Sequence, residues 1–539
     1  MAGEGDPATT RWFLGPGHAD HLDAANDHTV RPEQLLRLLT RRLFGYRAAQ
    51  PPEESPFAPV PDLARSAPTM DNGGLSPDGL TCRITIRRGV YWDSQRPREV
   101  TAHDLVRGLK RVAHPMRPEV RRYFTETIAG LREYCEAYRA TFDGNPPTAP
   151  DLAQFHMRHE LTGVRAVDRE TLVIHLLQPA NDLPHLLAAA PAAAAPREYD
   201  YYLPDSYELM RNAPSAGPYR VAAPYRIARG LERGRDLVLE PNPRWNPDTD
   251  PVHQHPEEII RITCDEPAGP VARRPDHPAW QLTVSHRQAT SGWGVGPYLA
   301  VNLGGPPSRP TADLVVRQAL SYAIDRAAVR EAMAKVPGAT TVVQRGLLPP
   351  GTPGYGAADA YPSAGEYGDP ARARRMLADA GHPRGVRLTL AVRDSALDRG
   401  IASSLGASLA QAGVTLDQEI MAPGGFAGAL RGAATRWDLA LASLTPDWFG
   451  NNGRSIVGPL LRGGAEPGEA NHGGYHNAAV DRLLARALAE PDQVRAAALW
   501  RELDVMIVQD LPVIPLLAHS CGPCTATAGA VPAVVWMSA

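Results

Sequence analysis

The chain of 539 residues is poor in lysine, in cysteine and in long apolar runs. Its basic residues are almost all arginine, with lysine only at Lys110 and Lys335, a bias that indicates a GC-rich genome such as an actinobacterial one. No window approaches the roughly 18 consecutive apolar residues of a membrane-spanning helix. Five cysteines are too few, and odd in number, for a disulfide framework in a chain of this length.

The chain also lacks a concentrated region of positive charge. It carries 56 basic and 59 acidic residues, a formal net charge of −3, without a basic block in either half. Nucleic acid is therefore not expected as a partner. A hydrophobic content of 43% is ordinary for a globular protein. Because a single core stops growing near about 250–300 residues, the length predicts more than one lobe.

The usual catalytic motifs are missing: there is no G-x-S-x-G, no H-E-x-x-H and no phosphate-binding loop. Cys521-Gly-Pro-Cys524 has the spacing of a redox dithiol, which needs a helix N-terminus to lower the thiol pKa, but the segment TATAGAVPAVVW after it is a poor helix former. His519 adds a third candidate metal ligand, without the second ligand pair of a structural zinc site. We predict no catalytic residue, no metal and no cofactor, and interpret the segment as a local disulfide or two free thiols.

Strand-like and helix-like segments alternate through roughly 296–480, a pattern typical of an α/β lobe. The first 265 residues are richer in strand pairs, and 164–179 predicts two strands around a tight turn. Apolar periodicity over 311–334 predicts one long helix.

Eight segments in a fixed order resemble the family 5 extracellular solute-binding proteins of ABC importers, a group that binds oligopeptides, dipeptides and nickel complexes. The resemblance covers the chain from about residue 20 to 520, and the segments that carry it are VPDLARSAP…SPDGLTCRITIRRGVYWD, VTAHDLVRGLKR, SAGPYRV, LVLEPNPRW, YLAVNLGGPP, VRQALSYAIDR, YHNAAVDRLL and DLPVIPLL.

The resemblance implies a periplasmic-binding-protein-like α/β fold of two lobes, with a hinge crossed twice and an extra subdomain in lobe I. On this basis lobe I is expected over 1–265, with the inserted subdomain at about 45–185. A hinge crossing is expected at 266–280 and lobe II at 281–507, and 508–539 is expected to return to lobe I and form the C-terminal tail.

The stretch WDLALASLTPDWFGNN, residues 437–452, contains the main candidate for ligand binding. Asp447 follows a predicted strand, at the end where α/β sheets bind their ligands. In peptide-binding members of the family, a carboxylate at the matching place receives the α-ammonium group of the ligand through a charge-assisted hydrogen bond. The alternative is an aspartate that caps its own turn.

This stretch also departs from the family pattern. The aromatic residue often seen three positions before the carboxylate is replaced by Leu444, and the Asp-Pro that often follows is replaced by Gly450-Asn451. The resemblance therefore implies a reshaped pocket, whose ligand need not be a plain peptide.

Further candidates lie around Asp447 and near the N-terminus. Trp448 or Trp437 is predicted to line a side-chain pocket, with packing of the lobe as the alternative. Asn452 and Arg454 are predicted to reach a carboxylate, with a solvated loop as the alternative. The Gly-rich stretch FLGPGHADHLD would let the backbone approach a ligand. The predicted ligand-binding residues are Leu444, Thr445, Asp447, Trp448, Asn452, Arg454, Trp437, Gly17 and His18.

The resemblance predicts a monomeric solute-binding protein that encloses a peptide or peptide-like ligand between two closing lobes and delivers it to ABC permease subunits. MAGEGDPATT shows neither an export segment nor a lipobox cysteine, so an extracellular, surface-attached lipoprotein would need a leader outside this sequence. One alternative is a cytoplasmic ligand sensor or carrier on the same fold. Another is an enzyme acting on a natural product, with Asp447 and His472 or His476 as an acid–base pair.

Overall fold

The computed structural model divides the chain into two compact units, with the described residues up to 263 in the first and those from 292 onward in the second. The residues described are 9–13, 22–25, 30–47, 57–114, 118–204, 206–223, 237–253, 259–263, 292–306, 308–336, 339–356, 359–362, 365–432, 436–464 and 469–521. The predicted hinge crossing at 266–280 lies outside these residues.

The described part of the first unit contains a four-stranded, a three-stranded and a two-stranded sheet. Its strands are β1 Thr9–Phe13, β2 Phe44–Gly45, β3 Val60–Pro61, β4 Thr81–Thr85, β5 Val164–Ala166, β6 Thr171–His175, β7 Tyr219–Ala223, β8 Leu237–Pro241 and β9 Ile259–Thr263. The strand orders are β1-β9-β8-β7, β4-β6-β5 and β2-β3. β5 and β6 are the two strands that the sequence predicted over 164–179, and they pair antiparallel.

The described part of the first unit also contains helices, some of which pack against these sheets. They are α1 Val30–Leu39, α2 Ala102–Lys110, α3 Pro118–Thr125, α4 Leu131–Phe142, α5 Ala149–Arg158, α6 Leu183–Leu186 and α7 Tyr207–Asn212. α2 begins where the sequence predicted, because the Asp104 carboxylate accepts the backbone N–H of Thr101 at 2.9 Å. Gly108 allows α2 to approach its neighbour closely, since a Cβ there would lie 2.0 Å from the carbonyl oxygen of Ala193.

A buried ionic cluster joins distant segments of the first unit. The Arg41 guanidinium lies between Asp62, at 2.6 Å, and Asp250, at 3.2 Å, with all three side chains almost fully buried. Burial alone would raise the pKa of Asp250, but His253 and Arg41 hold this pKa well below its usual range. The cluster ties the segment after α1 to residues more than 200 positions later.

The second unit is built around one seven-stranded mixed sheet. Its strands are β10 Gly294–Val301, β11 Ala339–Val343, β12 Val386–Arg393, β13 Val414–Met421, β14 Leu439–Leu444, β15 Val513–Pro515 and β16 Leu517–Cys521. The order is β11-β16-β10-β14-β12-β13, and β15 also pairs with β10. β15 and β16 thus place 513–521 in the second unit, which corrects the predicted return to lobe I from residue 508.

Helices cover both faces of this sheet. They are α8 Leu314–Ala323, α9 Arg326–Met333, α10 Pro370–Asp379, α11 Ala396–Gln411, α12 Phe426–Gly432, α13 Gly453–Leu461, α14 Ala478–Ala489 and α15 Gln493–Asp510. Alternate residues of β10 enter different cores: Leu299 packs in a cluster with α8 to α11, and Tyr298 packs in a cluster with α13 to α15. This period-two alternation is what a sheet buried on both faces requires.

The single helix predicted over 311–334 is two helices. Ile324 is extended, and the Asp325 carboxylate accepts the backbone N–H of Ala328 at 3.0 Å, so a new helix begins with α9. The mixed α/β class predicted from the sequence is confirmed. Within the described ranges, no helix has the length and apolar character that a membrane span requires.

Candidate functional site

Several strand ends of the second unit meet at one edge of its sheet. β12 and β14 run parallel and both end there, whereas β10 is antiparallel to β14 and begins there. β16 ends at the same edge, with His519 opposite Gly294. The register that pairs Val295 with Leu444 places the segment after β14 beside the start of β10. Carboxyl ends of strands are where ligands bind in α/β sheets.

Residues 445–452, here called the binding loop, connect β14 to α13 at this edge. Asp447 is exposed on the loop. The neighbouring Trp448 is only 5% exposed, and its indole N–H donates to the carbonyl oxygen of Asn451 at 2.7 Å. The loop therefore has Asp447 exposed, while its tryptophan side chain is turned inward and held by the loop backbone.

Asn452 closes the binding loop at the start of α13. Its side chain is 2% exposed, and its amide oxygen accepts the hydroxyl of Thr352 at 2.7 Å. Its backbone N–H donates to the carbonyl oxygen of Gly450 at 2.9 Å. Arg454, in the first turn of α13, is also buried. The solvated-loop alternative is thus wrong for both residues, whose direct contact with a ligand carboxylate stays a prediction.

Trp437 lies at the opposite end of β14, two residues before that strand begins. Its side chain is 0% exposed within the core, where the indole N–H donates to the carbonyl oxygen of Leu430 at 3.0 Å. Its own carbonyl oxygen accepts the Asn302 amide at 2.8 Å. Of the two interpretations that the sequence left open for Trp437, the structure favours packing of the lobe.

Residues of β10, β14 and β16 lie close together where the binding loop begins. Leu444 and Thr445 are half-buried at the end of β14. Phe449 packs directly on the chain that enters β10, because a Cβ on Gly292 would lie 2.0 Å from its ring. His519 is buried and its Nδ1 lies 2.8 Å from the carbonyl oxygen of Gly296. Burial lowers the pKa of His519, although this backbone contact opposes the shift.

The two histidines of the enzyme hypothesis lie in a segment at the other end of β10. Gly473, which follows His472, accepts the backbone N–H of Leu303 at 2.7 Å after the end of β10, whereas Asp447 follows the end of β14, beside the start of β10. Nδ1 of His476, an exposed side chain, lies 3.8 Å from Asp481 of α14. Burial lowers the pKa of His472 to about 4. Within the described part of the chain, no group of three His, Cys, Asp or Glu side chains is arranged to hold a metal.

Some predicted residues lie outside the described part of the chain. Gly17 and His18 are among them, as is Cys524, and the side chain of Cys521 is likewise not described. Their proposed roles stay predictions.

Two residues were missed by the sequence analysis. Phe449 lay inside the predicted stretch, and its aromatic character was the available signal. Thr352 had no local signal, since its partner Asn452 is 100 positions away.

Residues 58–268 and 277–455 match the family described as bacterial extracellular solute-binding proteins, family 5 middle. The chain belongs to this family. The resemblance stated from the ordered motifs is confirmed, and the family is described as one of extracellular solute-binding proteins. Members of the family are extracellular binding proteins, not enzymes.

Named relatives of this family-5 protein bind different solutes. Heme-binding protein A of Haemophilus influenzae is 28% identical over 233 residues, which cover 42% of this chain and 39% of that protein. The chain thus matches less than half the length of this relative. Glutathione-binding protein GsiB of Salmonella choleraesuis is 28% identical over 464 residues, which cover 83% of this chain and 79% of that protein.

Solved structures share the fold over nearly the whole chain. Clavulanic acid biosynthesis oligopeptide binding protein 2 has a TM-score of 0.73 at 23% identity, covering 96% of this chain and 91% of that one. The murein tripeptide binding protein MppA of Escherichia coli has a TM-score of 0.64 at 19% identity, covering 96% and 94%. At these identities the likeness shows the two-lobed α/β fold alone.

Proposed function

We propose that this family-5 protein captures a peptide or peptide-like ligand and delivers it to the permease of an ABC importer. The observation that carries the proposal is the exposed position of Asp447 on the binding loop, at the carboxyl end of β14. The proposal is further supported by relatives and neighbours named for glutathione, murein tripeptide and oligopeptides.

Asp447 would anchor the free amino terminus of the ligand. An ammonium group bound to a carboxylate makes a charge-assisted hydrogen bond, which strengthens when closure of a site excludes water. Strand ends at the same edge would offer backbone groups to the peptide main chain, a mode that tolerates many side chains. Leu444, in place of an aromatic residue, leaves more room beside the anchor and would admit a modified or branched ligand.

The remaining parts of the proposal concern the setting of the protein. We infer a monomer that works outside the cell, held at the surface by a lipid on a leader segment and docked to permease subunits when loaded. Docking of the loaded protein to the permease would then link ligand binding to transport.

The decisive experiment compares free and blocked amino termini. Wild-type protein and Asp447→Asn are titrated with a synthetic library of tri- to pentapeptides and with its N-acetylated counterpart, and bound species are counted by native mass spectrometry. A hydrogen bond to a charged group is worth about 1.5–3 kcal/mol, so Asp447→Asn should weaken binding of free peptides about 10- to 100-fold. The acetylated library should bind both proteins equally weakly.

Asp417→Asn is the matched control, because Asp417 is an exposed carboxylate of the same unit that pairs with Arg387 at 2.8 Å. It removes the same charge and should leave peptide binding unchanged. Equal affinity of wild type and Asp447→Asn for free peptides would remove Asp447 from the role of amine anchor. A wild-type protein that retains a single non-peptide mass would instead point to a specialised carrier.

A further inference from the structure

A loop rich in proline and glycine, QRGLLPPGTPGY at 344–355, follows β11 in the second unit. We call it the support loop. Its first residue, Gln344, donates its backbone N–H to the carbonyl oxygen of Leu516 at 2.9 Å. Prolines at three positions limit the backbone freedom of the loop. The backbone of the support loop is therefore anchored to the sheet at Gln344, and its prolines restrict the conformations that it can adopt.

One face of α15 holds the support loop at two places, one helical turn apart. The buried Asp504 carboxylate accepts the backbone N–H of Leu347 at 2.6 Å. Further along the loop, Gly354 has a φ of +90° and lies so close to α15 that a Cβ would stand 2.8 Å from the Cβ of Trp500. The first contact satisfies a loop donor with a buried carboxylate, and the second excludes any side chain at Gly354.

The same tryptophan also contacts the end of the binding loop. A Cβ on Gly453, the first residue of α13, would lie 2.7 Å from the ring of Trp500. Trp500 is thus packed against both the support loop and the start of α13. Between these two points the hydroxyl of Thr352 donates to Asn452, and both side chains are at most 4% exposed.

We propose that Thr352 is a positioning residue for the binding loop, because its hydroxyl orients the Asn452 carboxamide and thereby sets the backbone that carries Asp447. The proposal rests on the proposed function and deepens it. Because the Thr352 hydroxyl donates its hydrogen, the oxygen of the Asn452 carboxamide, and not its nitrogen, must face Thr352. The backbone N–H of the same asparagine donates to the carbonyl oxygen of Gly450 within the loop. The Thr352 bond therefore holds the side chain of the same residue whose backbone N–H bonds within the loop.

The test replaces the hydroxyl without changing the size of the side chain. Thr352→Val removes the donor, and Thr352→Ser retains it. Thr311→Val is the matched control: Thr311 is a buried threonine of the same unit, whose hydroxyl donates to the carbonyl oxygen of Asn302 at 3.3 Å, away from the binding loop.

Two readouts are taken on the full chain. Hydrogen exchange followed by mass spectrometry measures protection of the amides in 445–455, without any ligand. Native mass spectrometry with the free-amine peptide library measures affinity. We expect Thr352→Val to speed exchange of these amides about three- to tenfold and to weaken peptide binding by a similar factor, the effect of one buried hydrogen bond. Thr352→Ser should restore both, and Thr311→Val should leave both unchanged.

Two results would overturn the positioning role. One is exchange in 445–455 that is the same in Thr352→Val as in wild type, whatever happens to affinity. The other is Thr352→Ser behaving like Thr352→Val, since the hydroxyl would then not be the active group. If wild-type protein binds no peptide, the proposed function fails, but the exchange measurement still decides whether Thr352 orders the binding loop.

Discussion

The buried carboxylate of Asp504 should make the stability of this protein fall as the pH rises from about 4 to about 7. The side chain is 2% exposed on α15. Burial raises its pKa from the ordinary 3.8 to about 7, although the backbone N–H groups of Leu347 and Leu348 lower it. The folded state therefore holds a proton that the unfolded chain has already released in this range.

The magnitude follows from the difference in pKa. About three pKa units at roughly 1.4 kcal/mol each give at most about 4 kcal/mol, at a slope of about 1.4 kcal/mol per pH unit. The sign is opposite to that of an ion-paired carboxylate, because here it is the neutral form that the fold favours. The contribution is fully favourable below pH 4 and is lost above pH 7.

The measurement is urea unfolding of wild type and of Asp504→Asn at several pH values from 4.5 to 6.5. Asparagine keeps the size and one acceptor oxygen for the Leu347 N–H but does not titrate. The free energy of unfolding of wild type, minus that of the variant, should fall by about 2–3 kcal/mol across this range. A difference that stays constant or rises with pH would show that Asp504 is ionised throughout, and the reasoning from burial would be refuted.

Two further predictions concern the core of the first unit and helix packing. Arg41→Met should destabilise the protein by about 3–5 kcal/mol, because it removes the cation that lies between two buried carboxylates, although Asp250 keeps its contact with His253. Thermal unfolding measures this loss. Arg387→Met, on an exposed pair, is the control and should cost under about 1 kcal/mol. An Arg41→Met cost as small as that of the control would contradict the burial argument. Gly108→Ala should destabilise the protein by more than about 2 kcal/mol, because the added Cβ would overlap the carbonyl oxygen of Ala193. Gly406→Ala in α11 is the control: its Cβ would meet nothing within 4 Å, and it should stabilise the protein by about 0.5–1 kcal/mol. If urea unfolding gave the same change in the free energy of unfolding for both alanine variants, close packing at Gly108 would not be its cause.

Local structure could be predicted from the sequence where its cause is local. The strand at 414–421 occupies the predicted residues, because apolar alternation and flanking glycine are sequence features. The same reasoning joined α8 and α9 into one helix, since the apolar period continued through Asp325. The aspartate was itself a signal of a new helix start, but periodicity alone outweighed it.

The candidate site divides in the same way. The position of Asp447 after a strand, and hence at the carboxyl edge of a sheet, could be predicted from a few neighbouring residues. Whether a nearby side chain is buried or exposed could not: Trp437 and Trp448 look alike in sequence, yet one is a core residue and the other is held against its own loop. Burial depends on what the rest of the chain places above a residue.

The sequence by itself determined the family, the α/β class and the place of Asp447 after a strand, because ordered motifs, periodicity and strand ends are contained in short stretches. Only the tertiary structure decided that 513–521 completes the sheet of the second unit, that Thr352 meets Asn452 across 100 positions, and that Asp504 is buried beside the support loop. The physical reason is that sheet pairing, buried hydrogen bonds and shifted pKa values depend on contacts between residues far apart in the chain, for which the local sequence contains no signal.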